Sequence, residues 1–267
     1  MTIILNTLQS LQGRCGLIPF ITAGSPHLES TREALKLLDS SGADIIEVGL
    51  PYSDPLADGP VIQQASKTAL QQGMTLNKLL QLLEEVSSEI KAPLVLFTYY
   101  NPVLARGTFT FLQDIAKVGI KGIIIPDLPI EEADYVNTLC SHLSLELILL
   151  ITPTSSDVRI NNIISKSQGV IYVVSSTGVT GVRSTIESSM AEFISNIKSK
   201  TNKLLILGFG ISQAKQVEQV TQWDIDGVVI GSAFVKWLEN SNQTEGLNNM
   251  RNFCLSMRRA IANSTIL

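Results

Sequence analysis

Glu47, Asp54 and Asp58 place three carboxylates within twelve residues, in the run Ile45-Ile46-Glu47-Val48-Gly49-Leu50-Pro51-Tyr52-Ser53-Asp54-Pro55-Leu56-Ala57-Asp58-Gly59-Pro60. Glu47 sits inside an apolar stretch, where burial penalises a charge unless the group is paired or put to use. Pro51, Pro55 and Pro60 fix φ and remove amide donors, so the loop that follows has few conformations open to it. A strand ending in an acid and running into a stiff acidic loop suits carboxylates held around a small ligand. Desolvation at such a position would lift Glu47 toward the range in which a carboxyl group exchanges protons near neutral pH. A structural ion pair with a lysine or arginine is the alternative. Asp58 has the chemistry to accept a hydrogen bond from a ring N–H, or it serves as the turn former of an Asp-Gly pair.

A second set of residues suits an anion. Gly178-Val179-Thr180-Gly181, Gly208-Phe209-Gly210 and Gly231-Ser232 each follow a strand-sized apolar run. Glycine lets backbone amides approach an anion closely, and a helix N-terminus adds positive potential. One such pair is an ordinary tight turn, whereas three after consecutive strands suit a phosphate. Asp127, in Pro126-Asp127-Leu128-Pro129, either orients a neighbouring loop or caps and braces locally. Tyr172 either reaches a pocket or fills a core. His27 and His142 have no companions at metal-ligand spacing. There is no GxSxG, no Cys/His pairing and no lysine placed for a Schiff base, so proton or carbon–carbon chemistry falls to the carboxylates.

The elements that must position these groups alternate along the chain. Leu17–Thr22, Asp44–Val48, Pro93–Thr98, Gly122–Ile125, Leu145–Ile151, Gly169–Val174, Lys203–Leu207 and Ile225–Ile230 read as eight buried parallel strands, apolar without strict alternation. Leu76, Leu79, Leu80, Leu83, Val86 and Ile90 repeat with a helical period, as do Phe111, Leu112, Ile115 and Ala116. Thr110 with Gln113, and Ser184 with Glu187, have capping-box spacing. Eight strand–helix repeats predict an α/β fold, a (β/α)8 TIM barrel, as one domain over 1–267. Extra helices are expected at 2–11 and, after the second strand, at 61–71. In such a barrel the active site lies at the C-terminal ends of the strands. That rule selects Thr22, Glu47, Asn101, Asp127, Thr152 and the three glycine turns.

The chain has 267 residues, 45% hydrophobic and 16% charged, with a net charge of -4 and no long run of either sign. That balance argues against nucleic acid, which needs a basic face. Cys15, Cys140 and Cys254 are odd in number and widely spaced, so reduced, buried thiols are expected. The first residues do not make a secretory signal. No apolar run approaches the ~20 residues that span a membrane.

The carboxylate run resembles the signature of the tryptophan synthase alpha subunit. The likeness extends over Pro19-Phe20-Ile21-Thr22-Ala23-Gly24, Tyr100-Asn101-Pro102, Pro126-Asp127-Leu128-Pro129, Ser176-Thr177-Gly178-Val179-Thr180-Gly181, Gly208-Phe209-Gly210-Ile211-Ser212 and Gly231-Ser232-Ala233. The resemblance implies a (β/α)8 barrel that cleaves indole-3-glycerol phosphate to indole and glyceraldehyde 3-phosphate. Glu47 matches the family's catalytic glutamate and Asp58 its catalytic aspartate. Gly181, Gly210, Gly231 and Ser232 match its phosphate contacts, while Phe20, Tyr99, Tyr172 and Thr180 match pocket or loop positions. The loops at 50–60 and 176–187 are expected to close over substrate. No cofactor or metal is implied for this chain. The implied partner is a beta subunit carrying pyridoxal phosphate, in an alpha2beta2 assembly, with Pro51, Asp54 and the region of Asn101 at the contact. Leu50 and Tyr52 stand where Val and Phe are commoner. Ser176 stands where many bacterial members have a basic residue and where plastid members often have serine. The expected compartment is the cytoplasm, or the plastid stroma if the gene is plastid-encoded. Two other readings remain: a phosphosugar isomerase or epimerase, and a non-catalytic chain that only binds and activates a beta subunit. Keeping both Glu47 and Asp58 argues against each.

Overall fold

A computed structural model describes residues 2–175, 188–208, 210–239 and 243–264. Among them, eight parallel strands close a barrel in sequence order. They are β1 (Gly16–Thr22), β2 (Ile46–Gly49), β3 (Leu94–Phe97), β4 (Ile120–Ile124), β5 (Glu146–Ile151), β6 (Val170–Val174), β7 (Leu204–Gly208) and β8 (Gly227–Ile230). The barrel closes through β1 on β8, with Gly16 opposite Gly227 and Pro19 opposite Ile230. This is the (β/α)8 TIM barrel expected from the alternation of apolar runs.

The helices are α1 (Ile3–Ser10), α2 (Leu28–Ser40), α3 (Pro60–Gln71), α4 (Leu76–Val86), α5 (Tyr100–Arg106), α6 (Thr108–Lys117), α7 (Ala133–His142), α8 (Asp157–Lys166), α9 (Ser188–Lys198), α10 (Ala214–Val220), α11 (Ser232–Glu239) and α12 (Gln243–Ser264). The extra helices expected at the N-terminus and after the second strand are α1 and α3. Pro60 occupies the first turn of α3, where its missing N–H costs nothing. Thr75 caps α4 by accepting from the amide of Lys78.

Two layers of apolar packing hold the barrel. Outward-facing strand residues such as Leu17, Val48, Leu96 and Ile171 pack on the helices. Inside, Ile18, Ile45, Val95, Ile124, Ile148, Val170, Ile206 and Val229 form a filled layer that also takes Ile4 and Leu8 of α1. Helix α1 therefore plugs the N-terminal end of the barrel. A Cβ on Gly16 would lie 2.9 Å from Leu8, and one on Gly169 would lie 2.7 Å from Leu5, so these glycines make room for the plug.

Several expected boundaries move, each for a local reason. Strand β2 starts at Ile46 rather than at residue 44. Asp44 instead accepts from the amide of Leu17 at 2.8 Å and pairs with Arg14 at 2.8 Å and Arg258 at 3.2 Å. Thr110 and Gln113 form no capping box, because α6 already begins at Thr108 behind Gly107, whose φ of 85° suits a glycine. Ile90 lies beyond the end of α4, in an extended conformation. Ser184 and Glu187 lie outside the described residues. Cys15, Cys140 and Cys254 are all buried, free thiols, and burial pushes each thiol up, to about 12 for Cys140 and Cys254.

Candidate active site

Glu47 is the third residue from the C-terminal end of its strand pairing, opposite Phe20 of β1 and Val95 of β3. Its side chain points into the barrel, above the filled interior layer, and is 1% exposed. One carboxyl oxygen, Oε1, has no hydrogen-bond partner among the described residues. Burial pushes the group up to about 8. A group raised that far favours its protonated form at neutral pH, and among the described residues no cation pairs with it.

Asp58 reaches the same space from the loop after β2. That loop is folded by hydrogen bonds of Leu56 N to the Asp54 carbonyl and of Asp58 N to the Pro55 carbonyl. The Gln63 side-chain amide of α3 donates to the Asp58 carbonyl at 2.9 Å. Asp58 is 8% exposed. Burial raises it to about 6, while a hydrogen bond donated by the Tyr99 hydroxyl to Oδ2 at 3.0 Å pulls the other way. Two carboxyl groups with separated proton affinities therefore share one site, the usual arrangement where one acid must carry a proton and the other a charge.

Both acids line one cavity of about 120 Å3. Its floor and walls are apolar: Phe20, Ile62, Phe97, Pro126, Leu150 and Val229. Phe20 and Phe97 meet edge to face, with ring centroids 5.7 Å apart. Gly208, Gly210, Gly231 and Ser232 line the same cavity. Ser232 opens α11, whose first amides have no partner within the helix and favour an anion. A mainly apolar cavity lined by two acids and by a helix start has the chemistry for an apolar ring that carries an anionic group.

The expected site residues fare as follows. Phe20, Glu47, Asp58, Tyr172, Gly210, Gly231 and Ser232 are brought together around the cavity. Tyr172 faces it from β6, so the pocket reading prevails over the core reading; burial and the nearby Glu47 and Asp58 push its phenol well above the usual range. Thr180 and Gly181 lie outside the described residues. Tyr99 is 3% exposed and is not among the lining side chains. It stands behind Asp58. Asp127 braces rather than lines: its Oδ1 accepts from the amide of Tyr100 at 2.8 Å, at the start of α5. His27 precedes α2 and its Nδ1 lies 2.8 Å from Gln72, away from the cavity. Among the described residues no cluster of His, Cys, Asp or Glu is arranged to hold a metal ion.

The sequence reading did not single out Ile62, Phe97, Leu150 or Val229. They look like core residues, and only strand register for Phe97, Leu150 and Val229, and the packing of α3 for Ile62, shows that they face the cavity. Phe97 pairs with Gly49, two residues beyond Glu47, and Leu150 pairs with Tyr172. Two glycines also acquire a second meaning. A Cβ on Gly49 would sit 2.5 Å from the ring of Phe20, and one on Gly208 would sit 2.3 Å from Tyr172. Both leave space for an aromatic wall of the site.

Comparison with known proteins gives the family. A family model described as "Tryptophan synthase alpha chain" matches residues 7–262. The tryptophan synthase alpha chain of Pyropia yezoensis is 53% identical over 261 residues, 98% of this chain and 99% of that protein. The one from Synechocystis sp. is 50% identical over 251 residues, 94% of this chain and 95% of that protein. Among solved structures, the tryptophan synthase alpha subunit of Legionella pneumophila superposes with a TM-score of 0.89 at 32% identity, covering 98% of this chain and 99% of that one. Tryptophan synthase of Mycobacterium tuberculosis gives a TM-score of 0.88 at 33% identity, covering 97% and 98%. With the closed barrel and a likeness over nearly the full length in agreement, the chain belongs to the tryptophan synthase alpha chain family.

Proposed function

We propose that Glu47 and Asp58 run the lyase reaction of this family in this chain, cleaving indole-3-glycerol phosphate to indole and glyceraldehyde 3-phosphate. The observation that carries the reading is a buried Glu47, one carboxyl oxygen of which has no partner among the described residues, facing the same cavity as Asp58, Gly208, Gly210, Gly231 and Ser232. Glu47 gives its proton to carbon 3 of the indole, which makes the ring a leaving group. The positive charge that appears at the ring nitrogen is balanced by the Asp58 carboxylate accepting the N–H. Glu47, now a carboxylate, removes the proton from the hydroxyl on the carbon attached to the ring. That oxygen forms the aldehyde, the carbon–carbon bond breaks, and its electron pair restores the indole. Glu47 ends as it began, protonated.

Gly210, Gly231 and Ser232 hold the phosphate through backbone amides and the Ser232 hydroxyl, joined by Gly181. Phe20 and Tyr172 pack on the ring and Thr180 belongs to the covering loop. The chain works as one barrel domain over 1–267, with no cofactor or metal of its own. It acts as the alpha subunit of a complex with a pyridoxal-phosphate beta subunit, in an alpha2beta2 assembly docked at Pro51, Asp54 and the Asn101 region. Among the described residues no helix is long and apolar enough to cross a membrane. Placement in the cytoplasm or plastid stroma belongs to the same proposal.

The test is indole release by the purified chain from indole-3-glycerol phosphate, with and without a beta subunit and serine. Glu47→Gln is expected to lower turnover by about 10²–10⁴-fold, the usual worth of a positioned acid/base. Turnover by Glu47→Gln equal to the unsubstituted chain would refute the assignment.

A further inference from the structure

Tyr99 follows β3 and directly precedes α5. Its hydroxyl has one proton to give and lone pairs to accept with. The backbone amide of Ala57 can only donate, and it donates to the Tyr99 oxygen at 3.0 Å. The single hydroxyl proton is then directed to Asp58 Oδ2, also at 3.0 Å. Both bonds land on the loop after β2, one on its backbone and one on the side chain that the reaction uses. The phenol has no proton left for a substrate, and its ring stands outside the cavity lining.

The ring is held on two sides. It stacks on Tyr52, centroids 5.0 Å apart and planes 26° apart, and it meets Phe97 edge-on at 6.3 Å. Tyr52 belongs to the same loop as Asp58, so the loop grips Tyr99 at three points: the Tyr52 ring, the Ala57 amide and the Asp58 carboxyl group. The base of Tyr99 is fixed in turn, because Asp127 in the turn after β4 accepts from the amide of the next residue, Tyr100.

We infer that Tyr99 is a positioning residue that acts through Asp58, fixing the loop so that this carboxylate faces the ring nitrogen of the substrate, and that Tyr52 supports it by stacking. The inference rests on the catalytic reading of Asp58 given above. It departs from the expectation that Tyr99 is a wall of the pocket. A hydroxyl donor also favours the ionised form of Asp58, which otherwise feels burial and shares the site with Glu47 on β2 and Tyr172 on β6.

Tyr99→Phe keeps the stacked ring and removes both hydrogen bonds. With indole-3-glycerol phosphate as substrate, kcat should fall about 10- to 50-fold while KM changes less than about twofold, the pattern of a group that acts only as the transition state forms. The acid limb of the kcat profile should move to higher pH, since Asp58 loses its donor. Asp58→Asn with Tyr99→Phe should be within about twofold of Asp58→Asn alone, because residues that act as a unit are not additive. Tyr52→Leu, a loop substitution that removes the stacked ring but leaves the Tyr99 hydroxyl in place, should lower kcat several-fold and should likewise have no further effect on Asp58→Asn. Circular dichroism melts check that each variant is folded.

A raised KM at unchanged kcat in Tyr99→Phe would overturn the inference and return Tyr99 to the pocket wall. So would losses that multiply in the double variant, or, if Tyr99→Phe does not fold, in Tyr52→Leu with Asp58→Asn. Full turnover by Asp58→Asn alone is a different result: it removes the catalytic reading of Asp58 and this inference with it.

Discussion

The two acids carry opposite assignments because their surroundings differ, not because their chemistry does. Glu47 is sealed in the barrel with an unpaired oxygen and is pushed up to about 8; Asp58, at the loop, has a hydroxyl donor and rises only to about 6. The proposed reaction needs Asp58 ionised and Glu47 protonated, so kcat/KM should trace a bell with limbs near pH 6 and pH 8. The limbs belong to the interacting pair and not to one residue each. A profile flat from pH 5 to 9 would contradict the assignment. The same group taxes stability. The native state holds the Glu47 proton that the unfolded chain gives up near its ordinary value of 4.5. Stability is therefore lost as pH rises from there through about 8, and the cost is constant above it. Glu47→Gln removes that slope. The variant should be more stable than the unsubstituted chain at pH 8.5, by on the order of a few kcal/mol, with the difference vanishing toward pH 4. Equal denaturation midpoints at both pH values would count against a buried, unpaired Glu47.

At the scale of elements, the barrel was legible because its signals are local and repeated: eight apolar runs, each followed by a helical stripe or a turn. Glu47 was legible for the converse reason, as an acid that breaks such a run. What stayed hidden depends on register and space. Nothing in the letters distinguishes Phe97 or Leu150 from core, and Gly208 read as a phosphate turn although it also houses Tyr172. Gly208→Ala should drive Tyr172 into the cavity and raise KM for the substrate by about tenfold or more, with the barrel still folded, since the atoms it meets are the far end of a side chain. Glu146 interrupts the fifth apolar run, Leu145–Ile151. It is fully buried, takes the amide of Val170 at 2.9 Å and bonds the hydroxyl of Thr2, which caps α1. It therefore ties the plug helix to β5 and β6 at the end of the barrel away from the chemistry. Glu146→Ala leaves a buried amide without its acceptor and should cost about 1–3 kcal/mol of stability, while indole release at 25 °C is unchanged. Unaltered thermal stability would show that the tie is not needed.

Across the whole molecule, stability and chemistry occupy opposite ends of one barrel. Helix α1, Asp44 with Arg14 and Arg258, and Glu146 close the N-terminal face. The acids, the aromatic slot and the start of α11 open on the other, with exposed Leu56 at the tip of the loop that carries Asp58. The central claim is that two acids and a set of backbone amides grip one substrate at its two ends. The most direct test is a crystal structure of the Glu47→Gln chain soaked with indole-3-glycerol phosphate, which this variant should bind without cleaving. The account predicts phosphate oxygens on the amides of Gly210, Gly231 and Ser232 and the ring N–H on Asp58. A phosphate bound elsewhere, with the ring nitrogen turned away from Asp58, would contradict it.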